Sequence, residues 1–201
     1  MKVIGITGPS GAGKSVCCDI FGNYGIPSID TDQVYHRLIE KPSPCVSELV
    51  KTFGKEILND FGGINRTALA SLVFSDTTKA STNKLNQITH RFVRTETMAL
   101  LDNYQKQGAM AVLVDAPLLY EARFDEMCDF CIAVVASREL RLSRVIVRDN
   151  LSAERAEMRF SAQNSDEYYT ERSKYTITNN SDKENVERQV LSILETEGLI
   201  A

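Results

Sequence analysis

Short apolar runs alternate with longer segments of helical spacing along the chain. Five runs have the length of a strand, at residues 3–6, 26–29, 110–114, 131–135 and, more weakly, 175–178. The run at 111–114 is apolar at every position, which is typical of a strand buried between two helical layers. The alternation predicts an α/β protein: a three-layer fold with a five-stranded parallel sheet and helices on both faces.

The chain between the second and third runs is predicted to be a helical insertion at about 32–107. It contains no convincing strand, and its clearest helix spans 79–106. One face of that helix is apolar and carries Leu85, Ile88, Phe92, Val93 and Leu100.

A second helical pattern at 140–149 is followed by a very polar stretch at 152–172, a candidate mobile flap. We therefore expect one domain, residues 1–201. A lid is expected at about 138–170, within the second part of the core. The core itself comprises 1–31 and 108–201 and is interrupted by the helical insertion.

Composition narrows the class of protein. The 201 residues are 43% hydrophobic, enough for one sizeable core, and the net charge of −4 counts against nucleic-acid binding. No run is long enough for a membrane span, and the first run is too short for a signal peptide. These features favour a cytoplasmic protein with no membrane or nucleic-acid partner. The oligomeric state stays open, and a monomer or small homo-oligomer is the expectation.

The five cysteines do not suggest a disulfide framework, because their number is odd and Cys17 and Cys18 are adjacent. Cys128 and Cys131 form one C-x-x-C pair. A structural zinc site would need two further ligands at matching spacing, and none stands nearby. We interpret both as small core residues at the edge of a strand.

A phosphate-binding motif follows the first run. Residues 8–15 match the Gly-x-x-x-x-Gly-Lys-Ser pattern, with a strand before them and a helical segment after them. Glycines let the backbone N–H groups turn inward, and the helix adds its positive end, so the loop can cradle a β-phosphate. The residues expected to hold ATP are Gly8, Gly11, Ala12, Gly13, Lys14, Ser15 and Val16, and the fold expected is the P-loop NTPase type.

The residue types in and around this loop suggest roles. Lys14 should reach the β- and γ-phosphates, and the Ser15 hydroxyl should ligate Mg²⁺. Asp115 directly follows the third run, at the end of the predicted strand, where a carboxylate can hold the Mg²⁺ shell. Arg144 and Arg148 lie four residues apart on one predicted helix and offer positive charge to a transferring phosphoryl group.

Two aspartates follow the second run and favour a kinase. In extended backbone Asp30 and Asp32 would share a face and point toward the carboxyl ends of the strands, where a carboxylate can orient a hydroxyl and accept its proton. The alternative for Asp32 is capping of the helix predicted at 33–40. Asp30 could share the base role.

Guanine-nucleotide switches are disfavoured. The Asn-Lys-x-Asp motif is absent, since 83–86 lacks the aspartate, and no buried strand leads into the Asp-x-x-Gly match at 60–63. Two alternatives stay open: a kinase for another small metabolite or a nucleoside monophosphate, and a nucleotide-gated binding protein with negligible transfer.

Taken together, the motifs resemble the dephospho-coenzyme A (dephospho-CoA) kinase family over nearly the whole chain. Their order and spacing carry the resemblance more than any single motif except the phosphate loop. In chain order they lie at 5–15, 30–32, 64–66, 115–121, 144–149 and 177–179.

The resemblance implies transfer of the ATP γ-phosphoryl to the 3′-hydroxyl of dephospho-CoA, with ATP and Mg²⁺ required. It makes Asp32 the base, Arg144 a lid or transition-state arginine and Asn179 a neighbour of the ATP adenine. Arg148 would join the ATP-binding residues. Arg66, His90, Pro117 and Leu118 would contact the acceptor, whose pocket the helical insertion would shape.

One departure from the family pattern concerns His90. The family usually has His-Pro at this point, whereas this chain has His90 followed by Arg91. His90 can still contact the acceptor; the other interpretation is a partly buried histidine bonded within the insertion. Tyr120, where the family commonly has phenylalanine, is expected to be harmless.

Overall fold

The computed structural model describes residues 1–76 and 78–200 and divides the chain into two compact units. The first unit comprises residues 1–29 and the chain from Tyr104 onward, and the second comprises Asp30–Asn103. The sequence places the helical insertion at about 32–107. Each unit has its own apolar cluster.

The first unit is built on the sheet that the apolar runs predict. Its strands are β1 (Lys2–Thr7), β2 (Ser28–Asp30), β3 (Ala111–Asp115), β4 (Phe130–Val135) and β5 (Tyr175–Thr178), in the order β2-β3-β1-β4-β5. β1 pairs in parallel with β3 and β4, and β4 pairs in parallel with β5. The predicted five-stranded parallel sheet is confirmed.

Both faces of this sheet are covered. Ile4, Leu113 and Ile132 belong to one apolar cluster with α1 (Lys14–Asn23) and α9 (Lys183–Thr196). Val112 and Ala133 alternate with these residues, so they point to the opposite face, yet they are fully buried as well. The unbroken apolar pattern of β3 therefore reflects burial on two sides.

β2 begins later than the sequence predicts. Gly25 has φ 77°, and the Ile26 N–H donates to the Phe21 carbonyl, so Ile26 belongs to the turn that closes α1. Pro27 has no N–H to donate, but its carbonyl accepts a 2.8 Å hydrogen bond from the Leu113 N–H. Regular strand structure therefore starts at Ser28.

Three helices occupy the segment predicted as a lid: α6 (Arg138–Asp149), α7 (Ala153–Ser161) and α8 (Asp166–Thr170). The polar stretch at 152–172, predicted as a flap without assigned elements, thus contains two of them. Serine side chains cap α6 and α7. Apolar contacts join these two helices, with Val145, Ala156 and Phe160 buried between them.

Cys128 and Cys131 pack where β1 and β4 run side by side. Their Sγ atoms would each lie 3.0 Å from a Cβ atom built on Gly5. Gly5 therefore provides the space that the two thiols fill. The interpretation of these cysteines as packing residues at the edge of a strand agrees with this position, since Cys131 lies in β4 and is buried.

The second unit is helical, as predicted. It contains α2 (Thr31–Glu40), α3 (Pro44–Phe53), α4 (Arg66–Phe74) and most of α5 (Ala80–Lys106). Leu49 and Ile57 are fully buried in its apolar cluster. Across the described parts of the chain, every helix falls short of the combined length and apolarity needed to cross a bilayer.

Candidate active site

The phosphate loop connects β1 to α1 and requires glycine for two reasons. Gly8 has φ 145° and Gly13 has φ 95°, values that residues with a side chain rarely adopt. Space is also lacking: a Cβ on Gly8 would lie 2.1 Å from the Val134 carbonyl oxygen, and one on Gly13 would lie 2.0 Å from Asn179 Nδ2. The loop is therefore fixed by backbone geometry and by its neighbours.

The positive end of α1 opens toward this loop. Gly13 precedes the helix, no side chain caps it, and its first turn contains no acidic residue. Lys14 Nζ donates a 3.3 Å hydrogen bond to the Gly8 carbonyl, which bridges the mouth of the loop. An anion in the loop would meet the helix N–H groups and the Lys14 ammonium together.

Asn179 and Arg144 support the loop from outside. Asn179 follows β5, is buried, and donates from Nδ2 to the Ala12 carbonyl at 2.8 Å. Arg144 on α6 donates from Nη1 to the Gly11 carbonyl at 3.2 Å and from Nη2 to the Asn179 carbonyl at 3.1 Å. The structure thus brings together three predicted site elements that are far apart in the sequence.

A pocket of about 580 Å³ adjoins these residues. The size and the mixture of apolar and charged walls suit a nucleoside next to the phosphate loop. Val147, with 82% of its surface exposed, gives the pocket an apolar wall. The full lining is Gly11, Gly13, Ser15, Val16, Ser143, Arg144, Val147, Arg148, Asn179 and Lys183.

Sequence reasoning missed three residues of this lining. Ser143 and Val147 flank the predicted arginines on α6, and the three- and four-residue spacing of a helix could have indicated Val147. Lys183 starts α9, more than 160 positions from the phosphate loop, and no local signal marks it.

Arg148 also lines the pocket, but its guanidinium is held by a neighbour. It donates to the Asp149 carboxylate from Nε at 2.7 Å and from Nη2 at 2.9 Å. Arg159 Nη1 donates to the same carboxylate at 2.6 Å. Hydrogen bonding from Arg148, with help from Arg159, lowers the pKa of Asp149 to about 2.

The predicted metal ligands are both hard oxygen donors. Asp115 ends β3 beside Ile6 of β1, at the same edge of the sheet as the phosphate loop, and Ser15 is exposed on the first turn of α1. Within residues 1–76 and 78–200, no three or more His, Cys, Asp or Glu residues are grouped to hold a metal. The donor set fits Mg²⁺, which keeps several waters and shares phosphate oxygens.

Cys18 lies next to this candidate metal position. Its Sγ donates to Asp115 Oδ2 at 3.8 Å. Burial, followed by the Asp115 charge, raises the pKa of the Cys18 thiol far above its ordinary value. Cys18 therefore stays protonated near neutral pH and acts as a weak donor to the carboxylate.

Two predicted acceptor residues follow β3 in the first unit. The Pro117 carbonyl accepts a 3.4 Å hydrogen bond from Thr7 Oγ1, so the segment after β3 is tied to the end of β1. Leu118 is 46% exposed, whereas Leu119 beside it is fully buried. Leu118 is therefore available for contact with a ligand.

The two aspartates belong to the second unit and differ in role. The structure corrects the extended geometry assumed for them, because α2 already begins at Thr31. Asp30 Oδ1 accepts from the Asp32 N–H at 2.9 Å and from the Gln33 N–H at 3.0 Å, which makes Asp30 the N-cap. Asp32 lies exposed in the first turn.

Arg66 and His90 also lie in the second unit. Arg66 is the exposed first residue of α4, which Asn65 caps through the Ala68 N–H. α5 continues through His90 without interruption, as the missing proline allows. His90 is half-buried, and burial lowers its pKa, so the imidazole is neutral at pH 7.

The sheet order, the glycine loop that wraps the start of α1, and Asp115 at the same sheet edge define a P-loop phosphotransferase, a kinase-type nucleotide-binding fold. Comparison with known proteins gives the family. The dephospho-CoA kinase family model matches residues 2–185, and the chain belongs to that family.

Two relatives named dephospho-CoA kinase agree with this assignment, and one solved structure agrees with the fold. The dephospho-CoA kinase of Listeria innocua serovar 6a is 33% identical over 194 residues, covering 96% of each chain. That of Shouchella clausii is 34% identical over 191 residues, covering 95% of this chain and 96% of its own. The crystal structure of TT1252 from Thermus thermophilus superposes with a TM-score of 0.81 at 31% identity, covering 97% of both chains.

Proposed function

We propose that this protein transfers the γ-phosphoryl group of ATP to the 3′-hydroxyl of dephospho-CoA, giving coenzyme A and ADP. This is the last step of coenzyme A biosynthesis. The observation that carries the proposal is the phosphate loop braced by Asn179 and Arg144, in a chain of the dephospho-CoA kinase family. Because Asn179 and Arg144 hold the loop through hydrogen bonds, the loop is preorganised for binding the triphosphate.

The nucleotide is held by the backbone of the loop and by the pocket beside it. Backbone N–H groups at the start of α1 and the Lys14 ammonium bind the phosphates. Val16 and Val147 offer apolar contact to the base, with Asn179 and Arg148 at its polar edge. The ribose and adenine thereby fix the γ-phosphoryl in the direction of the acceptor.

Ser15 and Asp115 would hold Mg²⁺, directly or through water. When bound, the ion neutralises charge on the β- and γ-phosphates. Cys18 keeps its proton and orients the Asp115 carboxylate through its weak hydrogen bond.

Asp32 is the proposed base for the acceptor hydroxyl. Its support is the capping geometry: because Asp30 is engaged with two backbone N–H groups, it is the less suitable of the two carboxylates. Asp32 orients the 3′-hydroxyl and accepts its proton as the oxygen attacks the γ-phosphorus, and the electron pair of the breaking P–O bond leaves with ADP. Arg66, His90, Pro117 and Leu118 are proposed acceptor contacts.

Arg144 is proposed to stabilise negative charge on the transferring group from its place beside the loop. Two backbone carbonyls already orient its guanidinium, so the positive charge is positioned without reorganisation. The same hydrogen bonds give Arg144 a second task, that of maintaining the shape of the loop.

The test is an acceptor assay. The purified protein with Mg²⁺ and ATP should convert dephospho-CoA to coenzyme A, detected by mass spectrometry, and should release one ADP for each coenzyme A. Adenosine, AMP and shikimate serve as comparison acceptors. A better rate with one of these would favour another small-metabolite kinase, and ATP binding with no acceptor-stimulated ADP release would favour a nucleotide-gated binding protein.

The setting proposed for this activity is the cytoplasm, where ATP and Mg²⁺ are plentiful. Small molecules are the proposed partners, and the acidic net charge of −4 supports the exclusion of nucleic acid. We propose a monomer or small homo-oligomer.

A further inference from the structure

The connection between α7 and α8 reaches two segments of the candidate active site. Gln163 Oε1 accepts a 3.1 Å hydrogen bond from the Ser10 N–H, in the middle of the phosphate loop. Asn164, the next residue, donates from Nδ2 to Glu121 Oε1 at 2.7 Å. Glu121 lies in the segment that follows Asp115, the last residue of β3. Two consecutive amide side chains thus contact both segments.

A buried arginine supports this connection from α6. Arg141 is 8% exposed, and its Nε donates to the Ala136 carbonyl at 3.0 Å. Its guanidinium lies 5.2 Å from the centre of the Phe160 ring and forms a 3.2 Å ion pair with Asp166. Phe160 precedes the connection and Asp166 follows it, so both of its ends are anchored.

The chemistry of the two amides matches their partners. Gln163 supplies a neutral acceptor to a loop N–H, whereas a carboxylate there would bring negative charge toward the bound phosphates. Asn164 supplies a donor to a carboxylate, which makes a stronger hydrogen bond than a neutral pair.

Two tyrosines lie near the same carboxylate. Burial, followed by the Glu121 charge, raises the pKa values of Tyr168 and Tyr169, so these hydroxyls stay protonated beside Glu121.

We propose that Gln163 and Asn164 form a two-point latch that holds the lid segment, residues 138–170, against the phosphate loop and the segment after β3. They are positioning residues: they act on the reaction through the Ser10 amide and Glu121. The catalytic part of this inference rests on the proposed function. A latched lid keeps water from the γ-phosphoryl group, whereas an open lid permits the side reaction of ATP with water to ADP and phosphate.

The contact itself is tested without any reaction. Hydrogen–deuterium exchange of the peptide containing Ser10 is measured in the nucleotide-free protein. Gln163→Met keeps the size of the side chain and removes the acceptor, so the Ser10 amide should exchange about 5-fold faster, the value of one neutral hydrogen bond. Gln163→Glu restores an acceptor and should restore the protection. Met158→Gln, a change of the same size at a 64% exposed position of α7, is the matched control.

The catalytic role is tested by the ratio of ATP hydrolysis without acceptor to transfer with dephospho-CoA. Gln163→Met and Asn164→Asp, which sets two carboxylates against each other, should each raise this ratio about 3- to 10-fold. Because exclusion of water from the γ-phosphoryl group affects the reaction of bound ATP, kcat for transfer should fall more than KM for ATP rises. Met158→Gln should leave both values unchanged.

Unchanged Ser10 exchange in Gln163→Met would overturn the latch. Faster exchange with an unchanged hydrolysis-to-transfer ratio would overturn the positioning role and leave only a structural contact. A wild-type protein that makes no coenzyme A would overturn the proposed function and the catalytic part with it, whereas amide exchange would still decide whether the two-point latch exists.

Discussion

The Asn179 side-chain amide donates a 2.8 Å hydrogen bond to the carbonyl oxygen of Ala12. This bond joins the end of β5 to the phosphate loop, and the missing Cβ of Gly13 leaves the room for it. A substitution that puts an oxygen in place of the Asn179 Nδ2 nitrogen would set that oxygen against the Ala12 carbonyl oxygen. Asn179 is therefore a loop-shaping residue, and it also lines the pocket proposed for the nucleoside.

Asn179→Asp tests this relationship. The new carboxylate repels the Ala12 carbonyl and the bound phosphates, so KM for ATP should rise about 10-fold or more. The matched control is Asn180→Asp, which adds the same charge one residue later. Asn180 Oδ1 accepts from the Ser137 N–H at 2.7 Å, and an aspartate can do the same. Equal KM values for ATP in the two variants would contradict the role of Asn179 in shaping the phosphate loop.

A second prediction separates the two aspartates. Asp32→Asn should lower kcat by about 10²-fold or more and leave KM for ATP nearly unchanged. Asp30→Asn keeps an N-cap acceptor and should stay within about 3-fold of the wild-type rate, while Asp30→Ala should cost about 1 kcal/mol of stability. Stopped assays and thermal unfolding measure these values. An equal loss of turnover in both Asn variants would contradict the assignment of the base to Asp32 alone.

The sequence was sufficient for much of the sheet and for the loop. Strands buried on two faces leave continuous apolar runs, and the run at 111–114 corresponds to β3 almost residue for residue. The loop is equally visible, because its chemistry depends on residues that are consecutive in the chain. In β2, however, the turn at Gly25 and Ile26 competes with the strand, and that competition depends on the fold.

Contacts between distant residues could not be predicted. The bonds of Arg144 to Gly11 and of Gln163 to Ser10 join positions more than 130 residues apart, and no local pattern marks them. The geometry of Asp30 and Asp32 failed for a different reason. Asp30 is itself a good N-cap residue, so α2 begins at Thr31, directly after β2 ends. Asp32 therefore lies in a helix and not in the extended backbone that the sequence predicts.

A third prediction concerns the two tasks of Arg144. Arg144→Lys keeps the positive charge but lacks the fork that reaches the Gly11 and Asn179 carbonyls together. KM for ATP should therefore rise about 10-fold, with a smaller loss of kcat than in Arg144→Ala, where kcat should fall about 10²-fold. Steady-state kinetics with both substrates varied separate the two constants. Arg155→Lys, on the exposed face of α7, is the control. Full activity of Arg144→Ala would exclude both tasks.

The last prediction concerns stability and pH at the far end of the sheet. Glu197 follows α9, and its side chain is only 8% exposed. It accepts from Lys174 Nζ at 2.6 Å and from the Tyr175 hydroxyl at 2.7 Å through Oε1, and from Lys2 Nζ at 2.7 Å through Oε2. These hydrogen bonds, that of Lys174 first, lower the pKa of Glu197 from 4.5 to about 2.

A carboxyl group whose pKa is lowered on folding stabilises the protein above the pKa of the unfolded chain, and that stabilisation is lost as the pH falls through the folded value. Glu197→Gln should therefore reduce the free energy of unfolding at pH 7 by about 1–3 kcal/mol, since the two lysines are partly exposed and screened. The difference from wild type should shrink between pH 4.5 and about 2. Urea unfolding across this range measures it, with Glu195→Gln at an exposed position as control. If the difference in the free energy of unfolding stayed constant down to pH 2, the negative charge of Glu197 would not be the source of this stabilisation.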